Sequence, residues 1–196
     1  MICRHGDHKY AENCGRENCR HWLGYVGLPL AVALACSYNT MGFDILAGRV
    51  REFRRGHDRT REVEPKVLRD TSLRCTTRIE DCRGANIYIV TVPTPVDVAN
   101  EPDLGPVLAA TRAIASILGQ GQGVIIVYES TVYPGVTEDI CGLEIERISG
   151  LKRGRDFFFG YSPERANPDD REHAVDRITK VVAGENAMIT GQFAQL

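Results

Sequence analysis

The residue types that could carry chemistry fall in four polar clusters, and each follows an apolar segment directly. The clusters are Asp44 and residues 91–95, 129–131 and 162–167. Carboxylates in such clusters can bind hydroxyl groups or act as a base toward water, and hydroxyl side chains both donate and accept hydrogen bonds. If the apolar segments are strands of one parallel sheet, their carboxyl ends lie along the same edge. The pattern therefore predicts one common site at that edge.

A glycine turn precedes these clusters, with the sequence Leu-Gly-Tyr-Val-Gly-Leu-Pro at 23–29. In a βαβ unit, a turn of this kind brings backbone N–H groups and a helix N-terminus close to a phosphate. Asp44 ends a short strand about 20 residues later, where a dinucleotide-binding fold places the carboxylate that binds ribose hydroxyls. A carboxylate at this position repels a 2′-phosphate, which favours NAD over NADP.

Structural interpretations of the same residues stay open at this point. Gly24 and Gly27 could serve only to let a helix and a strand approach closely. Asp44 could cap the strand end or a turn through its own side chain.

Strand and helix patterns alternate along the chain from the glycine turn onward. Continuous β-branched and apolar runs predict buried parallel strands, and apolar residues at helical spacing predict helices between them. The predicted strands span 41–45, 73–77, 85–92, 124–128, 157–161 and 178–183, and the predicted helices span 27–36, 49–55, 103–118 and 136–148. This alternation predicts an α/β fold with a doubly wound parallel sheet and right-handed crossovers.

Bulk properties exclude several classes of protein. The chain has 196 residues, of which 43% are hydrophobic and 26% are charged, as in an ordinary globular domain. A net charge of −2 gives no reason to expect a nucleic-acid or membrane partner. Seven cysteines without paired spacing argue against a disulfide framework and favour a cytoplasmic location. The apolar run at 22–35 imitates a signal peptide, but it contains two glycines and a proline and is too short to span a bilayer.

Residues 1–22 differ from the rest of the chain, because they are polar and show no helix or strand periodicity. Cysteines and histidines in this segment make a zinc site conceivable, but their spacing matches no common zinc motif. We expect an aberrant or disordered leader without a metal. The six residues concerned are Cys3, His5, His8, Cys14, Cys19 and His21.

Six strings occur in the order found in a known family. They are Gly-Tyr-Val-Gly-Leu-Pro-Leu-Ala from residue 24, Gly-Phe-Asp-Ile from 42, Thr-Val-Pro-Thr-Pro-Val-Asp from 91, Pro-Asp-Leu from 102, Glu-Ser-Thr-Val-Tyr-Pro-Gly-Val-Thr-Glu from 129 and Gly-Tyr-Ser-Pro-Glu-Arg-Ala-Asn-Pro from 160. Together they resemble the nucleotide-sugar 6-dehydrogenases (the UDP-glucose/GDP-mannose dehydrogenase family), and most of all the UDP-N-acetylglucosamine/UDP-N-acetylgalactosamine branch. The resemblance implies a Rossmann-type NAD-binding domain at 23–196, truncated at its C-terminus.

The resemblance also implies an activity, namely the NAD-dependent, two-step oxidation of a sugar C6 alcohol to a carboxylate through a cysteine thioester. The substrate would be a UDP-sugar, either a UDP-N-acetylhexosamine or UDP-glucose, and the product would serve capsule or O-antigen synthesis. Full-length members of the family are homo-oligomers, whereas the state of this chain stays open. Because the nucleophilic cysteine of the family lies beyond the matched region, we expect no turnover by residues 1–196 alone. The alternatives are an inert fragment that does not bind NAD and a Rossmann dehydrogenase of the hydroxyacid type.

Individual roles carry over by motif. The pyrophosphate turn would consist of Gly24, Tyr25, Val26 and Gly27. Asp44 would bind the adenosine ribose, and Arg49 would support it. Thr94 and Thr131 would lie beside the nicotinamide half, with Thr131 also ordering a water near the reacting carbon. Glu164 would assist thioester hydrolysis as a base or by orienting water. The structural alternatives are loop-capping hydroxyls for the two threonines and a solvated acid, or a partner of Arg165, for the glutamate.

The chain departs from the family pattern at its start. Trp22 occupies the first glycine position of the family's Gly-x-Gly-x-x-Gly turn, where an indole is expected to distort the turn or block the phosphate. The polar residues 17–21 replace the Val/Ile-rich strand that should precede the turn, so the first strand is predicted to be lost or aberrant. None of the later cysteines lies in a motif that suggests a nucleophile, and we expect small apolar packing residues. They are Cys36, Cys75, Cys82 and Cys141.

Overall fold

A seven-stranded sheet forms the centre of the computed structural model, which describes residues 18–23, 26–120, 123–163 and 181–194. Its strands are β1 (Asn18–Trp22), β2 (Asn39–Phe43), β3 (Arg74–Thr76), β4 (Ile87–Val90), β5 (Val124–Tyr128), β6 (Phe157–Tyr161) and β7 (Ala183–Gly184). The strand order is β3-β2-β1-β4-β5-β6-β7. β1 to β6 pair in parallel, and β7 pairs antiparallel with β6. The predicted doubly wound α/β fold is confirmed.

Helices cover both faces of this sheet. They are α1 (Gly27–Leu34), α2 (Ala47–Arg54), α3 (Pro65–Asp70), α4 (Gly105–Ala115), α5 (Gly142–Ser149) and α6 (Ala187–Phe193). A 3₁₀ turn spans Ile79–Cys82, and a π-helical turn spans Val136–Cys141 directly before α5. Within the described ranges, no helix has the length and apolar content that crossing a bilayer requires.

The central strands bury both of their faces, which is why they are apolar throughout. One face joins the larger core with α4 and α5, and the other joins a second core with α1 and α6. On β4 and β5, the side chains of the larger core are Tyr88, Val90, Val124, Ile126 and Tyr128. Those of the second core are Ile87, Ile89, Ile125 and Val127. The two-residue alternation of a strand thus fixes which side chains can meet α1.

The first strand is present, although its sequence is polar. Asn18–Trp22 pairs in parallel with β2 on one side and with β4 on the other, and the Cα of Arg20 aligns with those of Met41 and Tyr88. The expectation of a lost first strand was therefore wrong. Ladder hydrogen bonds come from the backbone, which every residue except proline can supply in full, so pairing on both sides determines this strand. Residues 1–17 lie outside the described residues, as do the side chains of the conceivable zinc site.

Other elements match the sequence in part. The strands predicted at 124–128 and 157–161 are confirmed to the residue. The helix predicted at 136–148 begins instead with the π-helical turn, and of the strand predicted at 178–183 only residue 183 is in β7. Residues 178–180 lie outside the described residues. The short helices α3 and α6 were not predicted.

Candidate functional site

The N-terminus of α1 lies against the end of β1. A Cβ atom on Gly27 would collide with the carbonyl oxygen of Trp22 and with Oγ1 of Thr91. Glycine is therefore required where the helix meets the strand, which is the packing role that the sequence left open. Val26 is half-buried immediately before the helix, whereas Gly24 and Tyr25 lie outside the described residues.

The Trp22 side chain points to the face of the sheet opposite α1. It is 6% exposed and belongs to the larger core, where its ring meets that of Phe43 edge to face with centroids 5.2 Å apart. Leu23, the next residue, packs on the other face with Leu28 and Ala31 of α1. Strand alternation therefore directs the indole away from that helix, contrary to the expected block of a phosphate. The expected distortion of the turn concerns residues 24 and 25, which lie outside the described residues.

Asp44 follows β2 directly, as predicted, and is 8% exposed. Its Oδ1 accepts a hydrogen bond from the backbone N–H of Leu46 at 2.8 Å, so the aspartate does form the turn considered as its structural alternative. Its Oδ2 lies 3.6 Å from Nε of Arg49. Burial raises the pKa of Asp44, and the Leu46 hydrogen bond and the Arg49 charge oppose that rise only in part. The carboxylate is thus held in place, with Oδ2 turned toward a cation.

Arg49 brings unused hydrogen-bond donors to the same place. Nε and Nη2 of this side chain are buried, and neither donates a hydrogen bond within the described part of the chain. The guanidinium lies over the ring of Phe53, with Cζ 5.3 Å from the ring centroid, which fixes its position. Buried donors are almost always satisfied in folded proteins, so these two mark a place for an incoming acceptor.

Hydroxyl side chains at the carboxyl edge of the sheet divide into two kinds. Thr91 donates from Oγ1 to the carbonyl of Trp22 at 2.7 Å, and Ser130 donates from Oγ to the carbonyl of Val92 at 2.6 Å. These two tie the ends of neighbouring strands together. Oγ1 of Thr94 and Oγ of Ser162 are buried and have no hydrogen-bond partner among the described residues. Of these four hydroxyls, only those of Thr94 and Ser162 are unused within the described part of the fold.

The structure brings most of the sequence-predicted residues to one edge. Asp44 follows β2, Thr94 follows β4 and Thr131 follows β5, where Thr131 is exposed. Glu164 lies outside the described residues. Sequence reasoning gave no role to Ser162 within the polar cluster 162–167, although its position directly after a fully apolar strand could have singled it out.

The four cysteines whose side chains the structure describes, Cys36, Cys75, Cys82 and Cys141, form no disulfide with one another. Cys82 and Cys141 are buried, as expected of packing residues, but Cys36 is exposed, so that expectation was wrong for Cys36. It lies just after the end of α1. Cys75 is half-buried, and burial raises its pKa to about 11, which keeps it a neutral thiol at physiological pH.

Comparison with known proteins agrees with this arrangement. Residues 21–195 match the sequence profile of the UDP-glucose/GDP-mannose dehydrogenase family, NAD binding domain. The chain is 47% identical to protein CapL of Staphylococcus aureus over 163 residues, which are 83% of this chain and 38% of CapL. It is 48% identical to the UDP-N-acetyl-D-glucosamine 6-dehydrogenase of Pseudomonas aeruginosa over 168 residues, which are 85% of this chain and 39% of that enzyme.

A solved structure supports the same assignment. The UDP-D-ManNAc dehydrogenase from Pyrococcus horikoshii superposes with a TM-score of 0.77 and 29% sequence identity, covering 91% of this chain and 43% of that one. This chain thus spans well under half the length of the relatives that it matches, 38% and 39% for the two curated proteins. The profile match extends over nearly all of the described residues. The chain belongs to the UDP-glucose/GDP-mannose dehydrogenase family, and the part of that family to which it corresponds is the NAD-binding domain.

Proposed function

We propose that this chain binds NAD as the dinucleotide half of a UDP-sugar 6-dehydrogenase. The observation that carries the proposal is the pair of Asp44 and Arg49 at the carboxyl edge, in which the aspartate is buried and two buried guanidinium nitrogens have no hydrogen-bond partner among the described residues. A ribose diol supplies both donors and acceptors, and it could bind the carboxylate and the guanidinium together. The start of α1, where only glycine fits at position 27, would take the pyrophosphate.

Charge at this position favours NAD over NADP. The Asp44 carboxylate would meet the 2′-phosphate of NADP at close range, and like charges at short distance repel strongly in a buried site. Arg49 offsets part of that repulsion, so we expect NADP to bind more weakly than NAD rather than not at all. The family match argues against the alternative hypothesis that the chain is a Rossmann dehydrogenase of the hydroxyacid type.

Bound NAD would accept the hydride that leaves C6 of the sugar. The residues of this chain would position the dinucleotide for that transfer: Asp44 at the ribose, Thr94 and Thr131 beside the nicotinamide half, and Glu164 near the water that hydrolyses a thioester. The name of the Pseudomonas aeruginosa relative supports a UDP-N-acetylhexosamine as the substrate of the whole enzyme. A cytoplasmic role in surface-polysaccharide synthesis is part of the same proposal.

The test is NAD⁺ binding by isothermal titration calorimetry with a matched pair of variants. Asp44→Asn removes the charge at the carboxyl edge, and Asp156→Asn removes the charge of an equally buried aspartate at the amino end of β6, each being 8% exposed. We expect Asp44→Asn to weaken NAD⁺ binding by about tenfold or more, because a charge-assisted hydrogen bond is lost. Asp156→Asn should bind NAD⁺ as the unaltered chain does.

Energy transfer provides an independent readout. The chain has one tryptophan, Trp22, at the end of β1, and NADH absorbs in the range of tryptophan emission. Quenching of Trp22 fluorescence by NADH would support the proposal. A folded chain that shows neither calorimetric binding nor quenching would instead be the inert fragment.

A further inference from the structure

Ser162 carries a fully buried hydroxyl that the fold does not use. The residue is 0% exposed, and its Oγ has no hydrogen-bond partner among the described residues. Ser130, a serine at the same edge, differs because its Oγ donates to the carbonyl of Val92 at 2.6 Å. Buried hydroxyls nearly always have a hydrogen-bond partner. An unpartnered hydroxyl at a ligand-binding edge therefore points to a partner that arrives from outside the chain.

Strand register places this hydroxyl on the face of the sheet that carries α1. The backbone N–H of Ser162 donates to the carbonyl of Tyr128 at 3.1 Å, which continues the parallel ladder one residue beyond β6. Side chains alternate along the strand: Phe158 packs in the second core, and a Cβ on Gly160 would contact Val127 and Phe193 there. Ser162 follows the same alternation and so faces the side of α1 and α6.

The register also fixes how far Ser162 lies from the start of α1. Val90, Tyr128 and Tyr161 are aligned across β4, β5 and β6, so Thr91 and Ser162 occupy the next level along the edge. Thr91 contacts the end of β1 beside Gly27. Two strand spacings separate it from Ser162, about 10 Å. A dinucleotide held by its pyrophosphate at α1 can cover that distance with one of its halves.

The direction of the ligand follows from Asp44. That residue lies after β2, on the opposite side of β1 from β4, β5 and β6. With the adenosine ribose at Asp44, the second half of the dinucleotide must extend over β4 to β6. Its terminal group is a neutral carboxamide, which offers one acceptor and two N–H donors. A hydroxyl can complement either function without adding charge, because it both donates and accepts hydrogen bonds.

We propose that Oγ of Ser162 binds the nicotinamide carboxamide of NAD and thereby fixes the rotation of the nicotinamide ring. This inference rests on the proposed function, because it requires NAD at the carboxyl edge. It adds a cofactor-binding residue that the motifs did not assign. The ring orientation decides which face of the nicotinamide meets the substrate, so Ser162 would contribute to positioning for hydride transfer.

The test compares NAD⁺ with ADP-ribose, which has the same adenosine and pyrophosphate groups but lacks nicotinamide. With Ser162→Ala in the full chain, we expect the Kd for NAD⁺ to rise about tenfold while the Kd for ADP-ribose stays unchanged. Ser162→Cys, which keeps a weak donor of similar size, should have an intermediate Kd for NAD⁺. The Tm of the unliganded Ser162→Ala chain should equal or exceed that of the unaltered chain, because no internal hydrogen bond is lost.

Ser130→Ala is the matched control, since its hydroxyl is used within the fold. It should lower the Tm and change the affinities for NAD⁺ and ADP-ribose by equal factors. Equal losses for both ligands in Ser162→Ala, unchanged NAD⁺ affinity or a lowered Tm would each overturn the assignment of Ser162. Failure of the unaltered chain to bind either ligand would overturn the proposed function and this inference together, whereas binding of both ligands with no effect of Ser162→Ala would overturn only the inference.

Discussion

Gly27 allows α1 to approach β1 closely, because its side chain is only a hydrogen atom. Gly27→Ala would push the new Cβ into the Trp22 carbonyl and the Thr91 hydroxyl, which themselves form a hydrogen bond. We expect a loss of about 1–3 kcal/mol in the free energy of unfolding, the usual cost of overpacking a buried contact. Urea denaturation measures the change.

Gly48 in α2 provides the matched control for this substitution. A Cβ there would meet nothing within 4 Å. Gly48→Ala should therefore raise the free energy of unfolding by about 0.5–1 kcal/mol, since alanine is the better helix former. Equal effects of the two substitutions would show that helix propensity, and not the contact with β1, determines the requirement for glycine at position 27.

Asp44 should make the unliganded chain less stable when it is ionised. Burial raises its pKa above the ordinary value of 3.8, so folding favours the protonated form. The stabilisation that the protonated carboxyl contributes to the folded state is therefore fully present at pH values below the unfolded pKa, and it is lost as the pH rises through the higher folded pKa. Asp44→Asn resembles the protonated form, so its Tm should exceed that of the unaltered chain at pH 7, and the difference should vanish below about pH 3.5.

The thermal melts for this comparison are recorded without NAD across pH 3 to 8. A Tm for Asp44→Asn that is lower at pH 7 would show that the pair with Arg49 outweighs burial. Under the proposed function, the same substitution weakens NAD⁺ binding. The Asp44 carboxylate would thus lower the stability of the unliganded chain and increase its affinity for NAD⁺.

For individual residues, the sequence predicted the positions of those whose role depends on local spacing along the chain. Asp44 was located because a carboxylate follows a strand at a fixed distance from a glycine turn. The direction of the Trp22 side chain was not predictable, because a shift of one residue in strand register would reverse its face. Ser162 was overlooked for a related reason: whether a hydroxyl is satisfied depends on neighbours that are distant in sequence.

Between elements, a cluster of three charges joins α4 to α5. Oε1 of Glu144 accepts from Nε of Arg112 at 2.6 Å across the two helices, and its Oε2 accepts from Nε of Arg147 at 2.8 Å. Hydrogen bonds from Arg147 and then Arg112 lower the pKa of Glu144 to about 2. A lowered pKa means that the stabilisation is present above the unfolded value of 4.5 and is lost as the pH falls toward about 2.

Glu144→Gln should therefore lower the Tm at pH 7, and its difference from the unaltered chain should disappear between pH 4.5 and pH 2. Because both arginines are largely exposed, the effect should be small and should shrink in 1 M salt, where the Debye length is about 3 Å. Melting curves of Glu144→Gln and of the unaltered chain, recorded at low salt and in 1 M salt, provide the measurement. A difference that persists at pH 2 or is unchanged in high salt would assign the effect to packing instead of charge.

The sequence predicted strands correctly where the same residues are buried on both faces and paired through the backbone. β5 and β6 have apolar side chains because both faces are covered, so their pattern and their bounds agree. β1 is the opposite case, since its polar residues give no strand pattern and pairing with β2 and β4 alone determines it. The short helix α3 was missed because six residues are too few for a helical period to be recognised.

Across the whole molecule, β1 connects the two halves of the sheet. β2 and β3 lie on one side of it, and β4 to β7 lie on the other. The proposed ligand would follow the same division, with the adenosine end at Asp44 and the nicotinamide end toward Ser162. A strand that the sequence marks as aberrant is therefore the one on which both the fold and the proposed site depend.

Two deletions test this dependence directly. Removing residues 1–17 takes away most of the sequence-predicted leader and leaves β1 intact, so we expect a cooperative thermal transition within a few degrees of that of the full chain. Removing residues 1–22 also takes away β1, which leaves N–H and C=O groups of β2 and β4 unpaired inside the sheet and removes Trp22 from the larger core. That chain should show no cooperative transition by circular dichroism and should not protect the amide protons of β4 from exchange. If it instead melts like the full chain, the domain begins at Leu23, as the sequence first indicated, and the pairing of β1 contributes nothing to stability.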